Sequence, residues 1–283
     1  WQAQFDRYKQ IPQYIQLNAH MSLDQFKTIF LWEWSHRLLG RLLGVVFFVP
    51  FVVFAIRRDL PKRLFLRLGG IFLLGGLQGV VGWWMVASGL EHRLYVAPER
   101  LMVHLGLAFA LFGMLLWTGF DAWAGGARQT LPSPWGRRAA LLIGAVYLQI
   151  LLGALVAGNH AGLIYNDWPL MNGRLVPDDY WRDGLWATVA HSQGAVQLHH
   201  RLIAYVLALA AIVLGLGAWR SRYLGQEPKL LGAAVAAAIL IQVGLGVATL
   251  MLRAPLALSI AHQLTAALVF ALAIGFAWRV RRT

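Results

Sequence analysis

Seven apolar stretches divide the chain. They cover residues 33–56, 68–88, 101–120, 139–158, 195–219, 230–252 and 256–278. Each holds about 20 residues or more, enough for a helix to cross a hydrocarbon layer of roughly 30 Å. Prolines punctuate the joins: Pro61, Pro132 with Pro134, Pro228 and Pro255. The pattern predicts an all-α, polytopic membrane helical bundle.

Composition agrees. Of 283 residues, 59% are hydrophobic and 13% charged, about half the charge of a typical soluble domain. Such a chain cannot cover its own apolar surface in water, so the bilayer is its solvent. The segment before residue 18 is polar and aromatic and does not read as a cleavable leader. The chain has no cysteine, which excludes a disulfide, a thiolate ligand or an iron–sulfur cluster within it.

A net charge of +13 raises nucleic acid as a partner, but its distribution argues against that. Fourteen Lys and Arg residues fall in one alternate set of joins and the C-terminal tail, among them Arg57, Arg58, Lys62, Arg128, Arg137, Arg220 and Arg282. Eight fall on the opposite side, despite its longer loops, and Arg37, Arg41 and Arg201 lie within spans. The positive-inside rule makes the first side cytoplasmic. The N-terminal arm and the long connection 159–194 are then expected outside.

The sequence also repeats itself. Glu33-x-x-His36-Arg37 is echoed by Gln197-x-x-His200-Arg201. Gln78-x-x-x-Gly82 follows His36 by 42 residues, and Gln242-x-x-x-Gly246 follows His200 by the same 42. His104 and His262 then open the next span of each half. Both halves run the same way through the membrane, a parallel repeat. The division expected is an outer segment (1–32), a first half-bundle (33–138) and a second half-bundle (139–283). The second half has four spans, beginning with one that carries Gln149-x-x-x-Gly153; the first shows three. The repeat predicts two four-helix halves, with one further helix before Trp1.

His36, His104, His200 and His262 are expected near the outer starts of their spans. Histidine is costly in hydrocarbon and tends to face the bundle interior. Two per repeat suggest two paired sites, and a pair of imidazoles from two helices suits haem iron. Gly40 and Gly44 follow His36, and Ala204 and Ala208 follow His200, each at one-turn intervals that leave a smooth face for a flat macrocycle. Arg37 and Arg201 adjoin the ligands and suit propionates. Singly, an intramembrane histidine is as often packing, and small residues also serve helix contacts; the matched set carries the haem reading. Zinc is disfavoured, because the spacing gives pairs and not a compact cluster. His199 points away from His200 and reads as a supporting residue. His20, His92, His160 and His191 read as loop residues.

One position breaks the repeat: Glu33 in the first half, Gln197 in the second. Both share a helix face with a candidate ligand. A carboxylate moves protons and an amide does not, so the first half reads as the reaction site and the second as a permanent haem site. The plainer alternative is that Glu33 pairs with Arg37. Gln78 and Gln242 read first as interhelical hydrogen-bonding groups and second as contacts to a haem edge. Trp32, Trp34, Trp83, Trp84 and Tyr95 suit an interfacial aromatic belt.

The run IFLWEWSHRLLGRLLG resembles the first haem motif of the haem A synthase family, of the mitochondrial and alphaproteobacterial type. GLQGVVGWWMVASGL, RLMVHL, LVAGNHAGLIYNDWPLMNG, QLHHRLIAY and His262-Gln263 continue the resemblance in family order, and WQAQFDRYKQIPQY is similar to the family's outer segment. Asn166-Asp167-Trp168-Pro169 departs from the Asn-Thr-Phe-Pro often found there. The resemblance implies oxidation of the C8 methyl group of haem O to a formyl group, giving haem A for cytochrome c oxidase. It implies substrate haem on His36 and His104, with Glu33 as a functional residue, and a haem b cofactor on His200 and His262 that relays electrons. Arg37 and Arg201 would hold propionates. Dioxygen and water are both compatible oxygen sources. The expected partners are haem O, a haem O synthase, an electron donor and membrane lipid; a homo-oligomer is allowed. The expected location is a bacterial or mitochondrial inner membrane, with the haem sites toward the outer (periplasmic) face. The rival readings are a di-haem electron-transfer cytochrome and a parallel-repeat transporter.

Overall fold

The computed structural model describes residues 1–89, 93–124 and 134–281; His92, Arg128, Pro132 and Arg282 lie outside the described residues. Two short helices, α1 (Gln2–Tyr8) and α2 (Pro12–Leu17), precede six long ones with a further short one among them. These are α3 (Leu23–Ile56), α4 (Lys62–Ala87), α5 (Pro98–Trp123), α6 (Pro134–Gly158), the short α7 (Gly184–Ala190), α8 (Gln193–Arg220) and α9 (Gln226–Met251). A final long helix, α10 (Leu256–Val280), makes the seventh with the length and apolar composition to cross a membrane. The chain is an integral membrane protein. Within hydrocarbon only a helix or a closed barrel satisfies every backbone polar group, and each of the seven apolar stretches folds as a helix.

The helices outrun the apolar stretches. α3 starts at Leu23, not near residue 33, because polar chemistry nucleates it earlier. Ser22 Oγ accepts from the Gln25 backbone N–H, and Gln25 Oε1 accepts from the Ser22 N–H at 2.9 Å, a reciprocal cap. Aromatic packing then holds the extension. Phe26 stacks on Phe5 at 5.1 Å between centroids, and Trp1 meets Phe30 edge-on at 5.3 Å. His36 therefore lies in about the fourth turn of α3, which corrects the expectation that it opens its helix. His104, His200 and His262 lie about two turns into theirs.

Two compact units follow, residues 1–107 and 108–283. In the first, α3 packs along α4 through stacked phenylalanines: Phe48 on Phe72 at 5.1 Å and Phe51 on Phe65 at 5.3 Å. In the second, α6, α8, α9 and α10 form a closed ring in which each helix touches the next and α10 returns to α6. Its core is small and largely aliphatic: Ala139, Val146, Ala195, Ala211, Val235, Ala273 and Phe276 are buried. The outer faces carry exposed apolar side chains such as Val206, Leu209, Val213 and Leu264, which suit lipid. Near the C-terminal end of α5, Asp121 is buried and accepts from Trp278 Nε1 at 2.9 Å and from Arg281, so the charge is paired where it would otherwise be costly.

Helices α8 and α9 approach closely. A methyl at Gly215 would stand 2.8 Å from Ala236 Cβ and 3.2 Å from the Gly232 carbonyl oxygen; one at Gly232 would stand 2.9 Å from Ala218 Cβ. Small residues are what let transmembrane helices approach so closely. Gly215→Leu is expected to destabilise the bundle by about 1–3 kcal/mol through overpacking, read as a lower unfolding temperature in detergent, while Leu209→Ala on the exposed face leaves that temperature nearly unchanged.

Candidate functional site

In the first unit, α3 supplies His36 and α5 supplies His104, and the two imidazoles are within electrostatic reach of each other. Around His36 the helix face is open: a methyl at Gly40 or at Gly44 would meet no heavy atom within 4 Å. Glu33 and Arg37, one turn apart, form an ion pair at 3.6 Å with side chains 63% and 50% exposed. The pair joins neighbouring turns of one helix. His104 is held from α4. Gln78 Nε2 donates to the His104 carbonyl oxygen at 3.1 Å and lies 3.5 Å from its Nε2. A methyl at Gly82, one turn further along α4, would be 2.9 Å from His104 Cε1.

The second unit repeats this construction twice. Gln149 on α6 donates to the His200 carbonyl oxygen at 3.0 Å and lies 3.1 and 3.2 Å from the two ring nitrogens. A methyl at Gly153 would be 3.2 Å from His200 Cε1. Gln242 on α9 donates to the His262 carbonyl oxygen at 2.9 Å and lies 3.4 Å from Nε2, while a methyl at Gly246 would be 3.0 Å from Cε1. The Gln-x-x-x-Gly pattern is thus a histidine holder. Gln78 and Gln242 do bridge helices, as expected, and what they grip across the interface is a candidate ligand. The spacing is visible in the sequence; the partner is not, because it lies on another helix.

His200 and His262 lie edge to face, with ring centroids 6.5 Å apart and planes at 72°. Two metal–imidazole bonds of about 2 Å laid end to end, with half a ring behind each, span roughly 6 Å. The gap therefore has the width of one metal ion between two imidazoles. Among the described residues no group of three or more His, Asp or Glu side chains converges on a point, so the arrangement suits a haem iron, which brings its other ligands with it, better than a protein-only zinc site.

Gln197 and Arg201 occupy the positions that Glu33 and Arg37 hold in the first half, and they behave differently. Both are buried, at 3% and 7% exposure. Gln197 donates to the Ala161 and Ile164 carbonyl oxygens at 2.7 and 2.8 Å. Arg201 donates to the Tyr165 and Leu170 carbonyl oxygens at 2.7 and 2.9 Å and to Gln197 Oε1 at 2.9 Å, leaving its buried Nε without a partner. One turn of α8 therefore ties down the connection between α6 and α8. Sequence reasoning assigns Arg201 to a propionate and does not anticipate this anchoring, which depends on a chain segment more than 30 residues away.

Other side chains complete the anchoring. Asn166 Nδ2 donates to the Gly162 and Leu250 carbonyl oxygens, both at 2.9 Å, joining the connection to α9. Asp167 accepts from the Asn172 and Gly173 backbone N–H groups at 2.8 and 3.2 Å. That gives the departure at this position a local role, closing a turn in which Asn172 and Gly173 have positive φ. Those N–H groups hold the Asp167 carboxyl below its ordinary value. Asp179 sits at the start of α8 and accepts from the Gly194 N–H at 3.1 Å, Ser192 Oγ at 3.1 Å and Tyr165 Oη at 3.0 Å. Burial alone would raise its carboxyl, but these hydrogen bonds outweigh that and hold it below its usual value. His199 meets Tyr180 Oη at 2.9 Å through Nε2. His191 packs edge-on to Trp186, and His160 opens the single turn Ala161–Leu163 with φ of 51°.

Residues 1–274 match the family model COX15-CtaA, described as cytochrome oxidase assembly protein. Among curated proteins the chain is 60% identical over 282 residues to a haem A synthase of Caulobacter sp. (strain K31) and 57% identical over 282 residues to that of Caulobacter vibrioides; each likeness covers all of this chain and 82% of the relative. It is 45% identical over 288 residues to the haem A synthase of Maricaulis maris, with the same coverage.

The Asp179 clasp yields a test independent of these likenesses. A carboxyl depressed in the folded state stabilises fully above its unfolded pKa, about 3.9, and that contribution is lost as pH falls through the lower folded value. Asp179→Asn is therefore expected to speed hydrogen exchange across residues 177–194 at neutral pH and to remove the difference between parent and variant at strongly acid pH. Equal exchange at neutral pH would mean the clasp does not hold the connection.

Proposed function

The chain belongs to the COX15-CtaA family of cytochrome oxidase assembly proteins, and from that membership we propose that it is a haem A synthase, an oxidoreductase that converts the C8 methyl group of haem O into the formyl group of haem A for cytochrome c oxidase. The observation that carries the haem chemistry is the separation of His200 and His262, which leaves room for one iron between two imidazoles. We assign haem b to this pair. When bound there it supplies reversible one-electron exchange at its iron. Gln149 and Gln242 orient the two rings, and Arg201 and Gln197 close the outer connection beside them.

Substrate haem O is assigned to His36 and His104. The unobstructed face at Gly40 and Gly44 supports a flat macrocycle lying along α3. With water as the oxygen source, oxidising a methyl carbon to a formyl releases protons together with electrons, so that route needs a proton acceptor. Glu33 is on the His36 face of α3 and pairs with Arg37 at 3.6 Å; we assign its carboxylate to take a proton while Arg37 turns to a propionate. Arg201 has one unused buried donor, Nε, for the corresponding task in the second half. Gln197 cannot replace Glu33: an amide does not accept a proton at neutral pH, and this one is already committed to two backbone carbonyls. A haem O synthase supplies the substrate and a separate donor-acceptor partner exchanges electrons. The distribution of Lys and Arg supports haem sites toward the outer, periplasmic face of the inner membrane.

The test is a haem extraction from the full chain co-expressed with a haem O synthase. Glu33→Gln is expected to keep its haem content and lower formyl-haem yield by about 100-fold or more, the scale of a lost general base. Normal yield from that variant would remove Glu33 from the mechanism. Haem b alone in the parent, with haem O abundant, would favour an electron-transfer cytochrome.

A further inference from the structure

Three helix pairs share one construction: α4 with α5, α6 with α8, and α9 with α10. In each, the glutamine Nε2 faces a histidine backbone carbonyl, an acceptor only, so chemistry fixes which end of the amide points there. The same nitrogen lies against the imidazole. One turn on, a glycine lets the ring edge rest where a methyl would come within 2.9–3.2 Å of Cε1. The ring is confined from two sides, and rotating it about its Cβ–Cγ bond would break the amide contact or strike the neighbouring helix.

Helix pairing does not account for all the polar atoms of these glutamines. Gln78, Gln149 and Gln242 each keep a buried Oε1 without a partner, and His104 and His262 each keep a buried Nδ1 without one. An unpaired buried acceptor is costly. The same pattern recurs three times, always on a residue whose amide nitrogen lies against an imidazole.

We propose that Gln149 and Gln242 are positioning residues that fix the imidazole planes of His200 and His262 near their 72° crossing, and that Gln78 does the same for His104. This rests on the reading that these histidines ligate haem iron. In the loaded protein the amide nitrogen stays on the histidine carbonyl oxygen, so the amide, and the ring that lies against it, keep their orientation. The angle between the planes of two imidazoles on one low-spin ferric haem governs its magnetic anisotropy, and polar contacts to those ligands tune its potential. The glutamines therefore set the electronic properties of the haem without touching it.

The experiment is low-temperature electron paramagnetic resonance and redox titration of the full chain purified with its haem, comparing parent, Gln149→Leu and Gln242→Leu. The expected result is retained haem with a shifted largest g value and a displaced midpoint potential. Gly153→Ala and Gly246→Ala, which push on the same rings from the other side, are expected to shift the same signal and carry the test if a leucine variant fails to fold. Retained haem with a spectrum and potential identical to the parent's, even alongside a lower unfolding temperature, would reduce the glutamines to helix pairing and overturn the proposal. A parent protein with no low-spin haem signal that His262→Ala removes would instead overturn the haem assignment, and this inference with it.

Discussion

An imidazole inside an apolar bundle has little to orient it. Its own helix sets only where the ring begins, and hydrocarbon neighbours offer no hydrogen bonds. Here the orientation comes from across the interface, through a glutamine amide that grips the histidine's backbone carbonyl and lies against its ring, with a glycine one turn on to admit the ring edge. The requirement ties helices together in pairs. α6 must lie against α8, and α9 against α10, for His200 and His262 to be held, and the closed ring of four helices brings those two rings to 6.5 Å between centroids. The close α8–α9 contact at Gly215 and Gly232 completes that ring.

The two halves start from one pattern and use the same positions differently. Where the first half has an exposed Glu33–Arg37 pair, the second has a buried amide and guanidinium that pin the connection between α6 and α8. Buried and fully engaged groups make a rigid site; a carboxylate in an ion pair with its own helix one turn away keeps the freedom to change partner. On the proposed reading, that contrast separates a reaction site, with haem O in the first half, from a permanent one, with haem b in the second.

Much of this is legible in the sequence, for identifiable reasons. Apolar runs of spanning length mark the seven helices, since hydrocarbon leaves the backbone little choice. Matched spacing marks the repeat and the four histidines. The start of α3 escapes such a reading because its extension depends on the Ser22 cap and on Phe5 and Trp1 packing, neither of which contributes to an apolar run. The anchoring by Arg201 escapes it because its partners, Tyr165 and Leu170, are brought to it only when the connection folds back. The roles of Gln149, Gln197 and Asp179 are hidden for the same reason: spacing names a residue, but only the fold names what it touches.

The four histidines, on this account, form two haem sites of different kinds, one permanent and one that turns its haem over. That claim is tested most directly by haem identity and stoichiometry in four single variants of the full chain, His36→Ala, His104→Ala, His200→Ala and His262→Ala, made in cells supplied with haem O. The second-half variants are expected to lose haem b, while the first-half variants keep haem b and lose haem O and haem A. Loss of haem b from the first-half variants, or an unchanged haem complement in all four, would contradict it.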